Sequence, residues 1–328
     1  MTLAGTTTER LTTAPGVELD VHVAGPVDGP AVLLLHGFPE SSWSWRHQIA
    51  PLAAAGHRVI VPDQRGYASS AAPDDVAAYR ADHLADDAVS VLDQLGVEQA
   101  VVVGHDWGAI LTWHIAQRHP GRCRAVIAAS VPYTPWSQPP TASLRATHGD
   151  DFFYILYFQI PGVPEAELDA DPERFLLSIL HVASGDGIRS IVGGPLPADG
   201  TGLTEYFEHQ LGGRWSHLPT WLGRADLDVY VGQFVRSGFR RPINWYRNLD
   251  ANHTLFTPIG SAPLTMPTYF VAGELDPVIL GRPGYVSRML DDLPDHRENV
   301  LIPGIGHWVQ QEAPAEFNAV LLRWLASL

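Results

Sequence analysis

Lysine is missing from this chain altogether: all 21 of its basic residues are arginine. Covalent chemistry through a lysine Schiff base is therefore excluded, and the exclusive use of arginine matches the codon bias of a GC-rich bacterial genome. Cysteine occurs once, at Cys123, so no internal disulfide can form, which fits a reducing compartment. Positive charge is scarce overall. The 21 basic residues against 36 acidic ones leave a net charge of −15 with no basic run, which excludes nucleic acid and anionic membrane surfaces as partners. No apolar stretch is long enough to span a membrane, and the early segment Thr6-Thr7-Thr8-Glu9-Arg10 is polar where a secretory signal would be apolar. No metal-ligand spacing and no Gly-x-Gly-x-x-Gly turn is present, so neither a metal nor a nucleotide cofactor is expected. What these absences leave is a cofactor-free, cytoplasmic, bacterial-type enzyme.

The 328 residues are 45% hydrophobic, enough for a large core and a second subdomain. Strands are expected near Arg10–Thr13 and over Val17–Ala24, where Val17, Leu19, Val21 and Val23 alternate. Ala31–Leu35 and Arg58–Val61 are continuous apolar runs, as strands buried on both faces require. Ser41 or Ser42 caps a helix to about Ala55, and a helix over Ala81–Leu95 leads into the run Val101-Val102-Val103. Ala125–Ser130 is a further strand, and strands alternating with helices at this spacing make a parallel sheet covered on both sides. From Pro132 to about Pro263 the rhythm breaks into helical and irregular sequence rich in Trp, Tyr and Phe. Within it, Asp171-Pro172-Glu173 opens a helix to about Ala183, Gly193–Thr204 reads as a loop, and Ala225–Ser237 has helical periodicity. The sheet pattern resumes at Pro267–Ala272 and Asn299–Ile302, followed by an amphipathic helix from Ala313. The expected division is a core of residues 1–132 and 263–328 with an inserted helical cap over 133–262.

The chemistry is concentrated where Val101-Val102-Val103 runs into Gly104-His105-Asp106-Trp107-Gly108 and then into a helix that Pro120-Gly121 stops. That is a strand, a sharp turn and a helix with a carboxylate at the apex, and the flanking glycines make room for a strained apical backbone. Hydrolases built on such a turn usually carry serine there. A serine attacking saturated carbon gives an ether, a dead end, whereas a carboxylate gives an ester that water can cleave. Asp106 thus points to a hydrolase that opens a C–O or C–halogen bond through an alkyl-enzyme ester.

Taken together, His36-Gly37-Phe38-Pro39-Glu40, Asp63-Gln64-Arg65-Gly66-Tyr67, the Asp106 turn, the stretches around Tyr154 and Tyr246, Gly273-Glu274-Leu275-Asp276 and Gly306-His307-Trp308 carry a resemblance over nearly the whole length. The chain resembles the soluble-type epoxide hydrolases of the α/β-hydrolase superfamily. Ala68 and Ala109 depart from the family, which more often has glycine at both positions. The resemblance implies a mostly parallel eight-stranded sheet covered by helices, with a helical lid, and a triad in the order nucleophile Asp106, acid Asp276, base His307. A neutral His307 would activate water against the ester, and Asp276 would hold its tautomer. The sixth-strand segment Ser130–Thr134 carries no carboxylate, which favours Asp276 as the acid.

The oxyanion hole falls to the backbone N–H groups of Phe38 and Trp107; Pro39 has none to offer. By the same resemblance Tyr154 and Tyr246 protonate the epoxide oxygen, while Glu40 and His105 either position the water or form a structural hydrogen bond. Phe38, Trp107, Phe158 and Trp308 are the expected substrate-binding residues. Phe153, Trp215, Trp221 and Trp245 also suggest an apolar pocket. The expected partners are a small apolar epoxide and water, acting on a monomer or homodimer. Two other readings share these residues. A haloalkane or haloacid dehalogenase would use the same Asp106, but Phe38 replaces a common halide-binding Asn and no carboxylate-binding Arg follows the nucleophile. A non-catalytic ligand receptor on the same fold would not need the complete triad.

Overall fold

The computed structural model describes residues 3–135, 137–257, 263–282 and 284–328. Its strands are β1 (Thr7–Ala14), β2 (Val17–Ala24), β3 (Ala31–Leu35), β4 (Arg58–Pro62), β5 (Ala100–His105), β6 (Cys123–Ala129), β7 (Thr268–Gly273) and β8 (His296–Ile302). They form one eight-stranded sheet in the order β1-β2-β4-β3-β5-β6-β7-β8. Pairing is antiparallel at β1–β2 and β2–β4 and parallel from β4 through β8. This is the mostly parallel sheet of the expected fold class.

The apolar runs are continuous because successive residues serve opposite faces. Val101 and Val103 of β5 join the core beneath one face, where Trp45, Phe317 and Trp324 pack, while Val102 faces the other core with Leu33 and Val126. The covering helices in the first half are α1 (Arg46–Ala54), α2 (Ala81–Gln94) and α3 (Trp107–Arg118). Ser41 is the cap near α1. It closes a 3-10 turn over Ser42–Trp45 by accepting from the Trp43 N–H, and α1 follows from Arg46. The first strand is longer than the four residues expected, because β1 pairs with β2 along its whole length.

Between β6 and β7 the described residues carry nine α-helices: α4 (Pro140–His148), α5 (Tyr154–Tyr157), α6 (Val163–Ala170), α7 (Pro172–Val182), α8 (Gly185–Arg189), α9 (Leu203–Leu211), α10 (Arg224–Ser237), α11 (Arg240–Arg247) and α12 (Leu249–Phe256). Asp171 caps α7 as its sequence suggests, with its carboxylate on the Arg174 N–H. The loop expected over Gly193–Thr204 ends earlier, since Leu203 and Thr204 are already helical. Their N–H groups are accepted at 3.0 and 2.7 Å by the carboxylate of Glu167, a cap supplied from α6 rather than from the residues before α9. The expected 262/263 boundary falls beside residues 258–262, which lie outside the described residues. After β7 come α13 (Pro277–Leu280) and α14 (Tyr285–Asp292), and after β8 come α15 (Val309–Glu312) and α16 (Pro314–Leu325). No described helix is long and apolar enough to cross a membrane.

Because β3, β5, β6, β7 and β8 run parallel, the segments leaving their C-terminal ends share one edge of the sheet. Those segments carry Phe38, Asp106, Ser130, Asp276 and His307. In open α/β sheets this edge is where ligands bind.

Candidate active site

Asp106 occupies the turn between β5 and α3 with φ 53° and ψ −118°, a left-handed conformation that costs a non-glycine residue about 1–3 kcal/mol. Close backbone contacts hold it there. A methyl on Gly108 would lie 2.0 Å from the Leu35 carbonyl oxygen, and one on Gly104 would lie 2.1 Å from that of Gly108. Gly37 is equally constrained, since its Cβ would fall 2.4 Å from that of Asp106. The glycines of the two motifs thus let the β3 loop lie directly against the apical carboxylate.

The two oxygens of Asp106 have different partners. The Phe38 N–H donates to Oδ1 at 2.8 Å, while Nε2 of His307 lies 3.5 Å from Oδ2. On its other side the His307 ring has Nδ1 at 3.1 Å from both carboxylate oxygens of Asp276, which is fully buried. Burial works to raise the Asp106 carboxyl pKa, but His307, His105 and the Phe38 N–H outweigh it and hold it below the ordinary value. For His307 burial opposes the charged form, yet the carboxylates of Asp276 and Asp106 push it well above the usual histidine range. Both shifts favour the charged form, carboxylate on Asp106 and imidazolium on His307.

Glu40 and His105 are both completely buried beneath this pair. Nδ1 of His105 lies 2.8 Å from Oε2 of Glu40, which also accepts from the Gly37 N–H at 3.2 Å. Its Oε1 accepts from the side-chain amides of Gln310 and Gln311 at 3.0 and 2.8 Å. Both Glu40 oxygens are therefore engaged by the protein. Burial raises the Glu40 pKa, while His105 and the Gly37 N–H bring it below normal. Nε2 of His105 in turn contacts the His307 carbonyl at 2.8 Å, and the Ser130 hydroxyl donates to the same oxygen at 2.8 Å. Sequence reading missed Ser130, Gln310 and Gln311. Their only signal is proximity to motifs, and Ser130 adds a φ of 70° that no sequence shows.

Over this carboxylate sit the two tyrosines. Their ring centroids are 5.9 Å apart, and Tyr246 lies 5.0 Å from Trp107 and 5.4 Å from Phe38. Burial raises both phenol pKa values, and the negative charge of Asp106 raises them further, so both stay protonated. Tyr157 turns elsewhere, donating to Glu167 at 2.6 Å.

The aromatic residues divide by position. Phe158 is fully buried against Phe38 and Tyr246 at 5.5 and 4.9 Å. Trp308 leans on His307 at 4.7 Å, its indole donating to the Leu180 carbonyl. Trp245 donates to the Arg65 carbonyl and packs edge-on against Trp107. Phe153 stacks on His148, and Trp215 lies under the Arg174 guanidinium. Among the described residues, no group of three or more His, Cys, Asp or Glu is arranged to hold a metal ion.

Comparison with known proteins gives concordant results. A family model described as alpha/beta hydrolase fold matches residues 30–156. Epoxide hydrolase A of Mycobacterium tuberculosis (strain ATCC 25618 / H37Rv) is 42% identical over 325 residues, covering 99% of each chain. Epoxide hydrolase B of the same strain is 37% identical over 355 residues, covering 97% of this chain and 98% of that one. The crystal structure of Epoxide Hydrolase A from Mycobacterium thermoresistibile superposes with a TM-score of 0.90 at 40% identity, covering 98% of both chains.

Proposed function

The chain belongs to the epoxide hydrolases of the α/β-hydrolase fold, and from that membership we propose that it converts a small apolar epoxide and water to a vicinal diol through a covalent ester on Asp106. One observation carries the reading: a carboxylate flanked by a histidine and a backbone N–H lies beside a packed pair of tyrosines. Residues 133–262 act as the cap that brings the tyrosines over the carboxylate. Phe38, Trp107 and Phe158 offer the epoxide an apolar wall, with Trp308 behind His307.

In the first step Oδ2 of Asp106 attacks an epoxide carbon and the C–O bond breaks. The leaving oxygen takes a proton from Tyr154 or Tyr246, whose phenols are kept in the acid form. Ester formation removes the negative charge of Asp106. The proton on His307 then loses one of the two carboxylates that hold it, so the imidazole pKa falls, the ring gives that proton to the tyrosinate, and it becomes a neutral base. His307, oriented by Asp276, next accepts a proton from water attacking the ester carbonyl. The tetrahedral oxyanion on Oδ1 is met by the Phe38 N–H, with that of Trp107 at the head of α3 as its second donor. Its collapse expels the second alkoxide, which takes the proton of the new Asp106 carboxyl to complete the diol, and the proton taken from water stays on His307, restoring the starting pair. Glu40 and His105, whose polar atoms bind other protein groups, brace the His307 loop.

The two phenols beside Asp106 suit an oxygen that must be protonated as it leaves, which a halide does not need. This favours an oxygen leaving group. The test is a single turnover of styrene oxide in ¹⁸O-water. The first diol released is expected to lack label, because its new oxygen comes from Asp106, and label appears in the carboxylate. Full label in the first diol would mean direct attack by water and would end the ester reading.

A further inference from the structure

Outside the catalytic groups, one carboxylate has a set of partners that no reactive role explains. Glu312, at the end of α15, accepts three backbone hydrogen bonds. Oε2 takes the N–H of Gly185 at 2.8 Å and of Gly306 at 3.1 Å, and Oε1 takes the N–H of Trp308 at 3.0 Å. Gly306 and Trp308 are the residues on either side of His307. Gly185 is the first residue of α8, in the helical segment between β6 and β7. A single side chain therefore ties that segment to both flanks of the proposed base.

The backbones it joins are in direct contact. A methyl on Gly306 would fall 2.4 Å from the Gly185 nitrogen, and one on Gly185 would fall 2.2 Å from the Gly304 carbonyl oxygen. The His307 N–H donates to the Ala183 carbonyl at 2.8 Å, and Arg189 of α8 donates to the Gly304 carbonyl at 2.7 Å. The loop that carries His307 is thus pinned to α8 and its approach, with Glu312 closing the gap from the core side. Three N–H groups converging on one carboxylate form a charge-assisted set stronger than neutral hydrogen bonds.

We propose that Glu312 is a positioning residue that keeps the imidazole of His307 in line with the ester, setting its angle by the seating of the cap. The inference rests on the covalent reading above. Its consequence is confined to the second step, since only there does His307 have to direct a water molecule. A displacement of about 1 Å at such a group can cost about 10²-fold in rate.

The experiment follows ester formation and ester hydrolysis separately, by rapid-quench intact-protein mass spectrometry with styrene oxide. Glu312→Gln keeps the size but replaces one accepting oxygen with an amide donor facing N–H groups, so at least one bond is lost. The expected result is hydrolysis slowed about 10- to 100-fold with ester formation within about twofold of the parent. Gly185→Ala, which pushes apart the backbones that Glu312 joins while leaving the Glu312 and His307 side chains unaltered, is expected to give the same selective loss and serves if Glu312→Gln does not fold. Unchanged hydrolysis in a folded variant overturns the proposal. So does an equal fall in both rates, or a fall in burst amplitude alone, which marks less folded protein and not a misaligned base. No ester on the unaltered protein would overturn the Asp106 reading itself, a failure distinct from that of the clamp.

Discussion

The sheet side and the helical side of the site are held by different means. On the sheet side, Asp106, Phe38 and His307 sit in loops whose backbones touch, separated by glycines that admit no side chain, and tied by N–H and C=O groups of neighbouring segments. On the helical side, the tyrosines ride on two short helices braced by side chains reaching to backbone. Arg247, next to Tyr246, donates to the carbonyls of Phe158 and Ile160 and pairs with Glu165 at 2.5 Å, with both side chains about nine-tenths buried. Gln159 donates to the carbonyls of Ile155 and Tyr246. A glycine contact leaves no freedom, because an added Cβ would overlap atoms already in place. A side-chain brace can be lost while the helices persist. The ionic half of the site is thus built rigidly, and the proton-donating half is built adjustably.

The sharpest break in that comparison comes from the sheet side. His307→Gln keeps Asp106 reactive but leaves no base, so the ester should form and then persist, with hydrolysis reduced by ~10²–10⁴. Intact-protein mass should show the protein plus one substrate. A variant that binds substrate yet never holds the adduct would assign His307 to another step.

On the helical side the expected loss is smaller and falls on the opposite step. Tyr154→Phe or Tyr246→Phe alone leaves one donor and should slow ring opening only partly. The double variant leaves the alkoxide without an acid and should lose at least ~10²–10³ in ester formation, the size of a missing oxyanion donor. Pre-steady-state tryptophan fluorescence separates the two steps. If a folded double variant alkylates at the parent rate, the tyrosines are packing residues and the two-sided picture fails.

The smallest effect tests backbone strain away from the reacting groups. Ala68 has φ 49°, in the left-handed region where a Cβ is disfavoured. Ala68→Gly should relieve that strain and stabilise the fold by about 0.5–1 kcal/mol, net of the glycine's greater unfolded-state entropy. The urea midpoint should rise with an unchanged slope and unchanged rates of both chemical steps. A lower midpoint would show that the loop gains more from the methyl than the conformation costs.

Much of the sheet side was legible because glycine and apolar patterning act locally. The runs at Ala31–Leu35 and Val101–Val103 became strands buried on both faces, and the glycines around Asp106 met the close contacts they were expected to allow. The helical side was harder to read. Tyr154 and Tyr157 lie one turn apart with similar neighbours, yet one ring packs edge-on against Tyr246 while the other's hydroxyl donates to Glu167. The start of α9 was hidden because its cap comes from Glu167 on another helix. Trp245, expected among the pocket aromatics, is committed through its indole to the Arg65 carbonyl.

By itself the sequence determined the succession of the sheet strands, the carboxylate turn at Asp106 and the residue types available for each step. These depend on period, sterics and capping among residues a few positions apart. Which groups meet was decided only in three dimensions. Asp106, Asp276 and His307 converge because β5, β7 and β8 run parallel and open at one edge. Glu40 faces Gln310 and Gln311, and Glu312 joins Gly185 to the flanks of His307, because α15 carries one set of side chains to the β3 loop and another to α8. Hydrogen bonds reach only about 3 Å, so partners far apart in the chain are chosen by how the elements pack, which no local pattern records.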